Sequence, residues 1–365
     1  MAASSDTSSL RFLFALPGFH SEERGAEIAL LAVADELAKA DHSVTVIGSG
    51  PSRSGPTYAY RQVKTVNRRR LERLPRIPPF RSETVWEDAS FAWGLRNAYD
   101  PAEFDVTVTC NFPFTHWALR RGKTDRPKHL FVTRNGHWPA VSDKGEFRFF
   151  DCDGLVCINP DYQNDCKERW NTALIPNGIH QSTYDRAVSQ REKFGLPADG
   201  KVVLMVSALI DTKRVADGIR AVAPLDDVHL VVAGDGPLRG SVDALAAQLL
   251  PGRFKRLTVR GDEMPDLYTS ADAFLHMSLT ESFGNVYVEA MASGLPIVAN
   301  DTSRVRWIVG ARDTLCDAQD LHGVTEALDR ALSTGRGAAD ARARDFAWPR
   351  IAERYAEFAR TVAAS

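Results

Sequence analysis

Short apolar runs alternate with amphipathic stretches along most of the chain. Residues 10–19 (LRFLFALPGF) begin as a buried strand would and end in a Pro-Gly turn. Residues 25–40 (GAEIALLAVADELAKA) carry apolar side chains at helical spacing, and residues 42–50 (HSVTVIGSG) predict a second strand. The chain therefore opens with a strand-helix-strand unit. Further buried strands are predicted within 104–110, 128–133, 154–160 and 172–178.

The alternation restarts after Pro176. Strand patterns occupy 201–209, 227–237, 256–261, 272–278 and 295–301, and helical patterns occupy 214–225, 238–250, 264–271 and 284–294. Strands that alternate with helices predict a parallel sheet covered on both faces. The two runs therefore predict an α/β protein with two Rossmann-like, doubly wound domains facing a central cleft.

The length of 365 residues exceeds what a single hydrophobic core usually supports, which agrees with two domains. We predict a first domain over 10–178, a linker rich in Gly, Pro and charge over 179–200, and a second domain over 201–345. An amphipathic helix over 346–362 ends the chain.

Composition and charge exclude several classes of protein. The chain is 44% hydrophobic and 25% charged, with a net charge of -2, so nothing draws it as a whole to nucleic acid. The five cysteines form no C-x-x-C pair, which argues against a thiolate zinc site or a disulfide framework and agrees with a reducing cytoplasm. The start, MAASSDTSS, lacks the features of a signal peptide and predicts a disordered leader.

One local cluster of positive charge stands out, between Arg61 and Arg76 (RQVKTVNRRRLERLPR). Such a run is either a solvated loop or a surface that meets an anionic acceptor or lipid headgroups. No apolar run approaches the length of a membrane span. The predicted location is cytoplasmic, with peripheral membrane contact through this cluster left open.

The loops after the predicted strands carry the candidate chemistry, because ligands of open parallel sheets bind beyond the carboxyl ends of the strands. Four such loops in the second half are expected to converge on one side of one sheet. They are residues 207–213, 234–237, 261–264 and 278–285.

The segment SLTESFGNVYVEAM places two glutamates around a predicted helix start. Gly284 permits a tight turn, and the first amides of the helix have no internal partner and carry partial positive charge. Glu281 precedes that point and Glu289 follows it by one or two turns. Both suit hydroxyl groups of a ligand, since a carboxylate accepts two hydroxyls well. The alternative is that Glu281 caps the helix and Glu289 lies on the surface.

Two further loops are ambiguous by themselves. Lys213 in SALIDTKR lies near a helix start, where anions collect, or is an ordinary solvated lysine. The loop AGDGPLRG is close to a dinucleotide fingerprint, but its third glycine is one position late and Pro237 occupies the helix start. A glycine turn that lets a helix begin close to a strand is the favoured interpretation.

In the first half, Gly25 begins a predicted helix, where its amide can approach a phosphate, and Arg24 adds charge; the alternative is a flexible loop. Metal and nucleophile motifs are missing from the sequence. The nine histidines are scattered, and neither a G-x-S-x-G turn nor a P-loop occurs. We expect neither a metal nor a cofactor.

Taken together, these segments resemble the retaining, nucleotide-sugar-dependent glycosyltransferases of family four, which have the GT-B fold. ESFGNVYVEAMASGLPIVA resembles their E-x7-E signature, VSALIDTKR their first phosphate loop and VVAGDGPLRG their glycine turn. IPNGI resembles the opening of their second domain, and FAWPRIAERY resembles the helix that returns to the first domain. The resemblance covers the second half densely and the first half in patches.

The resemblance implies a role for each matching position. Glu281 would hold the hydroxyls of the transferred sugar, Glu289 would bind the ribose diol, and Lys213 would neutralise the diphosphate. Backbone amides and flanking positions complete the implied donor site: Phe283 and Gly284 at the sugar, Asn285 and Val286 at the diphosphate, Gly261 to Met264 beside the base, and Gly25 closing on the phosphates.

The sequence departs from the family at two places. Members commonly carry an arginine five residues before the lysine, where this chain has Ala208. We hypothesise that Arg24 or Arg214 supplies that charge. Many members also have a histidine after a strand of the first domain. Here FVTRNGHW offers Arg134, Asn135 and His137, and the sequence does not choose among them.

The resemblance also implies a mechanism and partners. The anomeric configuration would be retained, with the leaving phosphate assisting the acceptor on the same face of the sugar, so Glu281 would position the donor rather than attack it. The partners would be a nucleotide-sugar donor and an acceptor that the sequence does not identify. Two other functions remain open: a non-catalytic scaffold of the same fold, suggested by Ala208, and a nicotinamide-dependent oxidoreductase, suggested only by the glycine loop.

Overall fold

The computed structural model describes residues 9–66, 68–70, 80, 82–122, 126–134, 136–143, 147–312 and 314–365. The chain divides into two compact units. The first unit comprises the described residues up to Asn177 together with Trp348–Ser365, and the second comprises Gly178–Ala347.

Within the described part of the first unit, a parallel sheet of seven strands has the order β3-β2-β1-β4-β5-β6-β7. The strands are β1 (Arg11–Ala15), β2 (Ser43–Gly48), β3 (Ala59–Gln62), β4 (Val106–Thr109), β5 (Lys128–Val132), β6 (Gly154–Cys157) and β7 (Thr172–Leu174). Most strand residues are buried on both faces, as expected for a sheet that helices cover on both sides.

The helices of the first unit are α1 (Gly25–Lys39), α2 (Glu83–Ala98), α3 (Phe114–Leu119), α4 (Trp138–Val141), α5 (Pro160–Cys166) and the final helix α13 (Trp348–Ala364). Leu13 of β1 and Ile47 of β2 pack with Phe91 and Leu95 of α2 in one core cluster. The final helix contacts α1 within this unit, and its buried side chains recur at Ile351, Tyr355, Phe358 and Val362, which is helical spacing.

Within the described part of the second unit, six parallel strands have the order β10-β9-β8-β11-β12-β13. The strands are β8 (Lys201–Val206), β9 (Val228–Ala233), β10 (Phe254–Leu257), β11 (Ala273–His276), β12 (Ile297–Asn300) and β13 (Leu315–Cys316). The helices are α6 (Gln181–Asp185), α7 (Val215–Val222), α8 (Arg239–Leu249), α9 (Met264–Thr269), α10 (Asn285–Ala292), α11 (Ser303–Val309) and α12 (Leu321–Thr334).

The core of the second unit explains why these segments form a sheet. Val203 and Met205 of β8, Leu230 of β9 and Leu275 of β11 are completely buried in one cluster with residues of α7 and α12. Burying a side chain of this size stabilises the fold by about 1.5–3 kcal/mol. The predicted fold class, two Rossmann-like α/β domains, is confirmed.

Several local predictions differ from the structure. Residues 179–200, predicted as a linker, lie inside the second unit: Tyr184 is in α6, and the amide of Gln190 donates to Oγ of Ser270 over 2.8 Å. The strand predicted over 256–261 is β10, which begins two residues earlier and ends at Leu257. Elements β3, β13, α2 to α6, α11 and α12 were not predicted from the sequence.

Two predicted segments fall partly outside the described residues. They are the leader, of which residues 1–8 are not described, and the basic cluster, of which residues 67 and 71–76 are not described. Among the helices that the structure describes, none is long and apolar enough to cross a membrane.

Candidate active site

The two loops with the strongest candidate residues follow adjacent strands of the second unit. Strand β8 pairs with β11 through Val203 opposite Ala273 and Leu204 opposite Phe274. Strands β9 and β10 extend the sheet on the β8 side of this pair, and β12 and β13 extend it on the β11 side. This is the topological switch point of the sheet, where open α/β sheets bind ligands.

The loop after β11 is held against the loop after β8. Ser278 Oγ donates to the carbonyl oxygens of Thr212, at 3.2 Å, and Thr280, at 3.1 Å. Gly284 then turns the chain with a φ of 89°, a conformation that favours glycine. A Cβ at this position would lie 2.7 Å from the ring of Tyr287. The turn is followed by α10, which begins at Asn285, one residue after the predicted start, so Glu281 lies in the loop before the helix.

Glu281 lies among donors from three other elements. Lys213 Nζ donates to Oε1 of its carboxylate, and His276 Nε2 donates to the same oxygen over 2.8 Å. Arg304 Nη1 donates to the backbone carbonyl of Glu281. Burial alone would raise the pKa of Glu281, but the hydrogen bonds and charges of His276 and Lys213 outweigh burial and lower the pKa to about 2. The carboxylate is therefore held ionised.

Lys213 and Arg214 are neighbours in sequence but point to different partners. Lys213 ends a 3-10 turn over Asp211–Lys213, and Arg214 adopts a left-handed conformation, with φ 51°, before α7. The guanidinium of Arg214 donates to Oδ2 of Asp217 over 2.9 Å and to the carbonyl of Ala318 over 2.9 Å. Its contacts are therefore with α7 and the segment after β13, whereas Lys213 contacts Glu281.

Glu289 has different surroundings. It lies on α10, where its side chain is largely removed from solvent, and it accepts a hydrogen bond from the hydroxyl of Tyr268 over 2.7 Å. The ring of Tyr184 lies 6.4 Å from that of Tyr268, and burial together with the charge of Glu289 raises the pKa of Tyr184. Burial raises the pKa of Glu289 itself, although the bond from Tyr268 partly counters this effect.

The remaining predicted donor-site residues of the second unit lie in or beside loops that follow the carboxyl ends of its strands. Phe283 is buried, with its ring against Trp307 and Phe346, and so anchors the turn before α10. Asn285 and Val286 form the first turn of α10, where backbone amides lack partners within the helix. Gly261 and Met264 follow the edge strand β10, in a 3-10 turn and at the start of α9.

The glycines of AGDGPLRG have a packing role. A Cβ at Gly234 would lie 1.9 Å from the carbonyl oxygen of Ser207, and one at Gly236 would lie 2.6 Å from that of Leu209. These contacts let the glycine loop pack directly on the backbone around Ala208. The interpretation of the loop as a glycine turn agrees with this geometry.

The candidates of the first unit lie at the carboxyl edge of its own sheet. Gly25 is the first residue of α1, and a Cβ there would contact nothing within 4 Å. Arg24 Nη2 lies 3.5 Å from Oε2 of Glu22, and its Nε lies 3.7 Å from Oε1 of Glu27. Their predicted roles toward the phosphates stay predictions.

The segment after β5 contains the three candidates for the missing histidine. Arg134 is buried, and its guanidinium donates to the side-chain carbonyl of Asn177. His137 stacks on Tyr162, with ring centroids 4.2 Å apart, and its Nε2 lies 3.0 Å from a carboxylate oxygen of Asp165. Asn135 lies outside the described residues.

Four side chains of the site were not predicted from the sequence: His276, Tyr268, Tyr184 and Arg304. His276 is the one polar residue in the otherwise apolar strand AFLH and lies five residues before Glu281, which is a usable signal. Arg304 follows β12, and no sequence motif marks that loop, while Tyr184 lies in the predicted linker. Among the described residues, no group of three His, Cys, Asp or Glu side chains could hold a metal ion.

Comparison with protein families gives two matches that together span most of the chain. Residues 24–182 match the family model described as Glycosyltransferase Family 4, and residues 188–346 match the model described as Glycosyl transferases group 1.

A curated relative is the lipopolysaccharide core biosynthesis glycosyltransferase LpsE of Rhizobium meliloti, strain 1021. It is 28% identical over 206 residues, which cover 55% of this chain and 59% of the relative. In four curated relatives of this kind the matched segment spans 38% to 59% of the relative's length.

Solved structures resemble the chain over nearly its whole length. Sucrose-phosphate synthase from Thermosynechococcus elongatus has a TM-score of 0.76 at 20% identity and covers 98% of this chain and 100% of its own. HepE from Anabaena, in complex with UDP and glucose, has a TM-score of 0.65 at 19% identity and covers 96% and 100%. These likenesses establish the fold.

Proposed function

We propose that the chain is a group 1 glycosyltransferase of the GT-B fold, and that it transfers a glycosyl residue from a nucleoside-diphosphate sugar to an acceptor with retention of the anomeric configuration. The observation that carries the proposal is the pairing of Glu281 with Lys213 and His276 at the switch point of the second sheet. That pairing lies directly before the start of α10. A carboxylate, a cation and a helix start at one place suit a ligand that carries both hydroxyls and phosphates.

Lys213 and the first turn of α10 would bind the diphosphate. Helix starts attract anions because their first amides lack internal partners and carry partial positive charge. The amides of Asn285 and Val286 occupy those positions. In the reaction they would stabilise the negative charge that develops on the leaving diphosphate, which is often the largest single contribution to catalysis.

Glu281 would hold the hydroxyls of the transferred sugar, with the amides of Phe283 and Gly284 beside it. A carboxylate whose pKa is lowered to about 2 is a weak base and a weak nucleophile, which favours positioning over attack. Trapping of a glycosyl adduct on Glu281 would contradict this role. Glu289 would accept hydroxyls from the ribose diol, and residues 261–264 would flank the base.

The chemical step follows from these roles. The bond between the anomeric carbon and the β-phosphate oxygen breaks as the acceptor oxygen attacks the same face of the sugar. The proton of the acceptor hydroxyl passes to the departing phosphate. In this scheme catalysis is mostly positioning and electrostatics, with no residue bonded to the sugar. Lys213 and the amides would neutralise the leaving group without a metal, so loss of turnover in EDTA would count against the scheme.

The first unit would bind the acceptor and assist with the donor phosphates through Gly25 and Arg24. Gly25→Ala tests this role. Because a Cβ at Gly25 would meet nothing within 4 Å, the melting temperature should not change, whereas the added methyl group should keep a phosphate from the amide and weaken donor binding. Of the three first-unit candidates for a contact with the transferred sugar, Arg134 and His137 lie among the described residues, and either would take that role. Membrane contact through the cluster between Arg61 and Arg76 is part of the proposal only for a lipid-linked acceptor, and vesicle co-sedimentation tests it.

A panel of nucleotide sugars tests the proposed function. Wild-type protein is mixed with UDP-, GDP-, ADP- and dTDP-linked sugars, and release of the nucleoside diphosphate is measured beside Glu281→Ala. We expect release from at least one donor by wild type and a loss of about 100-fold or more in Glu281→Ala, the effect of removing one preorganised electrostatic group. Glu326→Ala, which removes an exposed carboxylate of α12, serves as the control. Absence of release and of binding with every donor would favour the scaffold.

A further inference from the structure

The sheet of the first unit has a switch point of its own. Strands β2 and β3 extend it on one side of β1, and β4 to β7 extend it on the other. Ligands of open parallel sheets bind at such a point, beyond the carboxyl ends of the strands. Residues 16–24 follow β1 there, residues 110–113 follow β4, and Arg134 follows β5, the next strand. A ligand of the first unit is therefore expected at this edge.

Arg134 lies at that edge as a buried cation, and it forms no ion pair with the residues that the structure describes. Only 8% of the residue is exposed. Its Nη1 donates to the side-chain carbonyl of Asn177. Nε and Nη2 are shielded from solvent and have no hydrogen-bond partner in the described part of the chain. Because Asn177 is neutral, its bond holds the guanidinium in place and leaves the charge uncompensated.

The side chains nearest to this charge are neutral as well. Burial raises the pKa of the Tyr355 hydroxyl, and the charge of Arg134 opposes that effect. The same is true of the Cys110 thiol, whose pKa is raised to about 12. Neither group therefore carries a negative charge at neutral pH. The phenol and the thiol line the surroundings of the guanidinium without balancing it.

Two carboxylates also act on Cys110, but they pair elsewhere. Glu27 Oε1 of α1 lies 3.7 Å from Nε of Arg24. Asp88 Oδ2 of α2 accepts from the amide of Phe114 over 2.9 Å. The guanidinium after β5 thus remains a buried charge without a counter-ion, which is costly for the fold. Such a departure from the rules of stable packing is typical of a functional site.

We infer that Arg134 binds a carboxylate or phosphate group of the acceptor, so that the acceptor is an acidic molecule. The inference rests on the proposed function, which assigns the acceptor to the first unit. Nε and Nη2 lie on one edge of the planar guanidinium, and an edge of this kind binds two oxygens of a carboxylate or phosphate at once. In a place shielded from solvent the attraction is stronger than in water. His137 then remains for the transferred sugar.

The competing role is structural, in which Arg134 only holds Asn177 in place. Arg134→Gln keeps an amide donor for Asn177 and removes the charge, whereas Arg134→Lys keeps the charge and removes the planar edge. Loss of a structural bond would lower the melting temperature. Loss of an unpaired buried charge should leave the melting temperature of ligand-free Arg134→Gln at or above that of wild type. Arg11→Gln is the control, because Arg11 is half-exposed and pairs with Asp105 at the start of β1.

The experiment supplies the best donor of the panel together with acceptors in matched pairs. The pairs are glucose beside glucuronate and glycerol beside glycerol phosphate, and kcat/KM for each acceptor is measured from the glycosylated product. We expect wild type to prefer the acidic member of at least one pair about tenfold or more, since hydrogen bonds to charged groups are strong. Arg134→Gln should lose this preference with an unchanged KM for the donor. Arg134→Lys should keep part of it, and Arg11→Gln should match wild type.

Three outcomes would overturn the inference while the proposed function stands. The first is turnover of the donor by wild type with no preference for the acidic member of either pair. The second is an undiminished preference in Arg134→Gln. The third is a lower melting temperature of Arg134→Gln with equal losses for acidic and neutral acceptors, which indicates the structural role.

Failure of the proposed function has a different signature, because wild type then releases nucleoside diphosphate from none of the donors. The anion site is still tested in that case by the melting temperature with glucuronate or glycerol phosphate. We expect at least one of them to raise the melting temperature of wild type and neither to raise that of Arg134→Gln. Equal shifts in the two proteins, or no shift in wild type, would overturn the inference.

Discussion

Glu281 and Glu289 lie on one short segment of the second unit, yet their electrostatic surroundings are opposite. Glu281 receives hydrogen bonds from Lys213 and His276, and these lower its pKa to about 2 despite burial. Glu289 receives one from the hydroxyl of Tyr268, and burial raises its pKa. A glutamate side chain is thus held ionised in the loop before α10 and made costly to ionise within α10.

The difference comes from the neighbouring loops and not from the segment itself. Glu281 precedes α10 at the switch point, where the loops after β8 and β12 bring a lysine and an arginine. Glu289 faces α9 and α6, which bring tyrosines. A carboxylate among tyrosines gains most from a ligand that donates hydroxyls, as a ribose diol does. The contrast therefore supports the proposal that Glu281 binds the transferred sugar of the donor and Glu289 binds its ribose.

The largest expected effect separates the two glutamates by turnover. Glu281→Gln removes the charge around which Lys213 and His276 are arranged, and we expect kcat to fall about 100-fold or more. Glu289→Gln should instead raise the KM for the donor and leave kcat within a few-fold of wild type. Steady-state kinetics with the best donor of the panel measure both. Equal losses of kcat in the two variants would contradict the assignment of different parts of the donor to the two glutamates.

A second expected effect is an opposite dependence of stability on pH. The folded pKa of Glu281, about 2, lies below its ordinary value of 4.5. Its ionised form therefore stabilises the fold above pH 4.5, and this contribution is lost as the pH falls toward 2. The full contribution is about 3 kcal/mol at roughly 1.4 kcal/mol per pKa unit. For Glu289 the folded pKa is raised, so its stabilising contribution is present below 4.5 and is lost as the pH rises through the folded pKa.

Calorimetric melting of the two Gln variants between pH 3 and pH 8 checks these signs. Glu281→Gln should melt well below wild type at pH 7, with a difference that shrinks toward pH 3. The melting temperature of Glu289→Gln should rise relative to that of wild type as the pH rises. If both differences from wild type follow the same slope, the contrast in pKa is not present in solution.

The smallest expected effect comes from the single hydrogen bond to Glu289. Tyr268→Phe removes it at a cost of about 1 kcal/mol, so donor KM should rise about fivefold with little change in kcat. Tyr287→Phe is the matched control, because the buried hydroxyl of Tyr287 has no hydrogen-bond partner among the described residues. Identical kinetics for Tyr268→Phe and wild type would show that this bond does not orient Glu289.

The sequence predicted the fold well because strands buried on both faces must be apolar throughout. The alternation of strands and helices also predicted that Glu281 and Lys213 lie in loops on one side of one sheet, and the structure adds that these loops follow adjacent strands. It did not predict how the charges pair, which depends on contacts between loops. Lys213 and Arg214 are adjacent in the chain, yet Lys213 pairs with Glu281 and Arg214 pairs with Asp217. His276 and Arg304 became recognisable only once β11 and β12 lay side by side.

Titration calorimetry with three ligands of increasing size tests most directly the central claim that Glu281 binds the sugar and Glu289 binds the ribose. The ligands are the best nucleotide sugar, its nucleoside diphosphate and its monophosphate, each with wild type, Glu281→Gln and Glu289→Gln. We expect Glu289→Gln to weaken all three by a similar factor, because all three contain the ribose. Glu281→Gln should weaken only the nucleotide sugar and bind the diphosphate at least as tightly as wild type. If Glu281→Gln weakens the diphosphate as much as the nucleotide sugar, Glu281 does not hold the sugar and the account is contradicted.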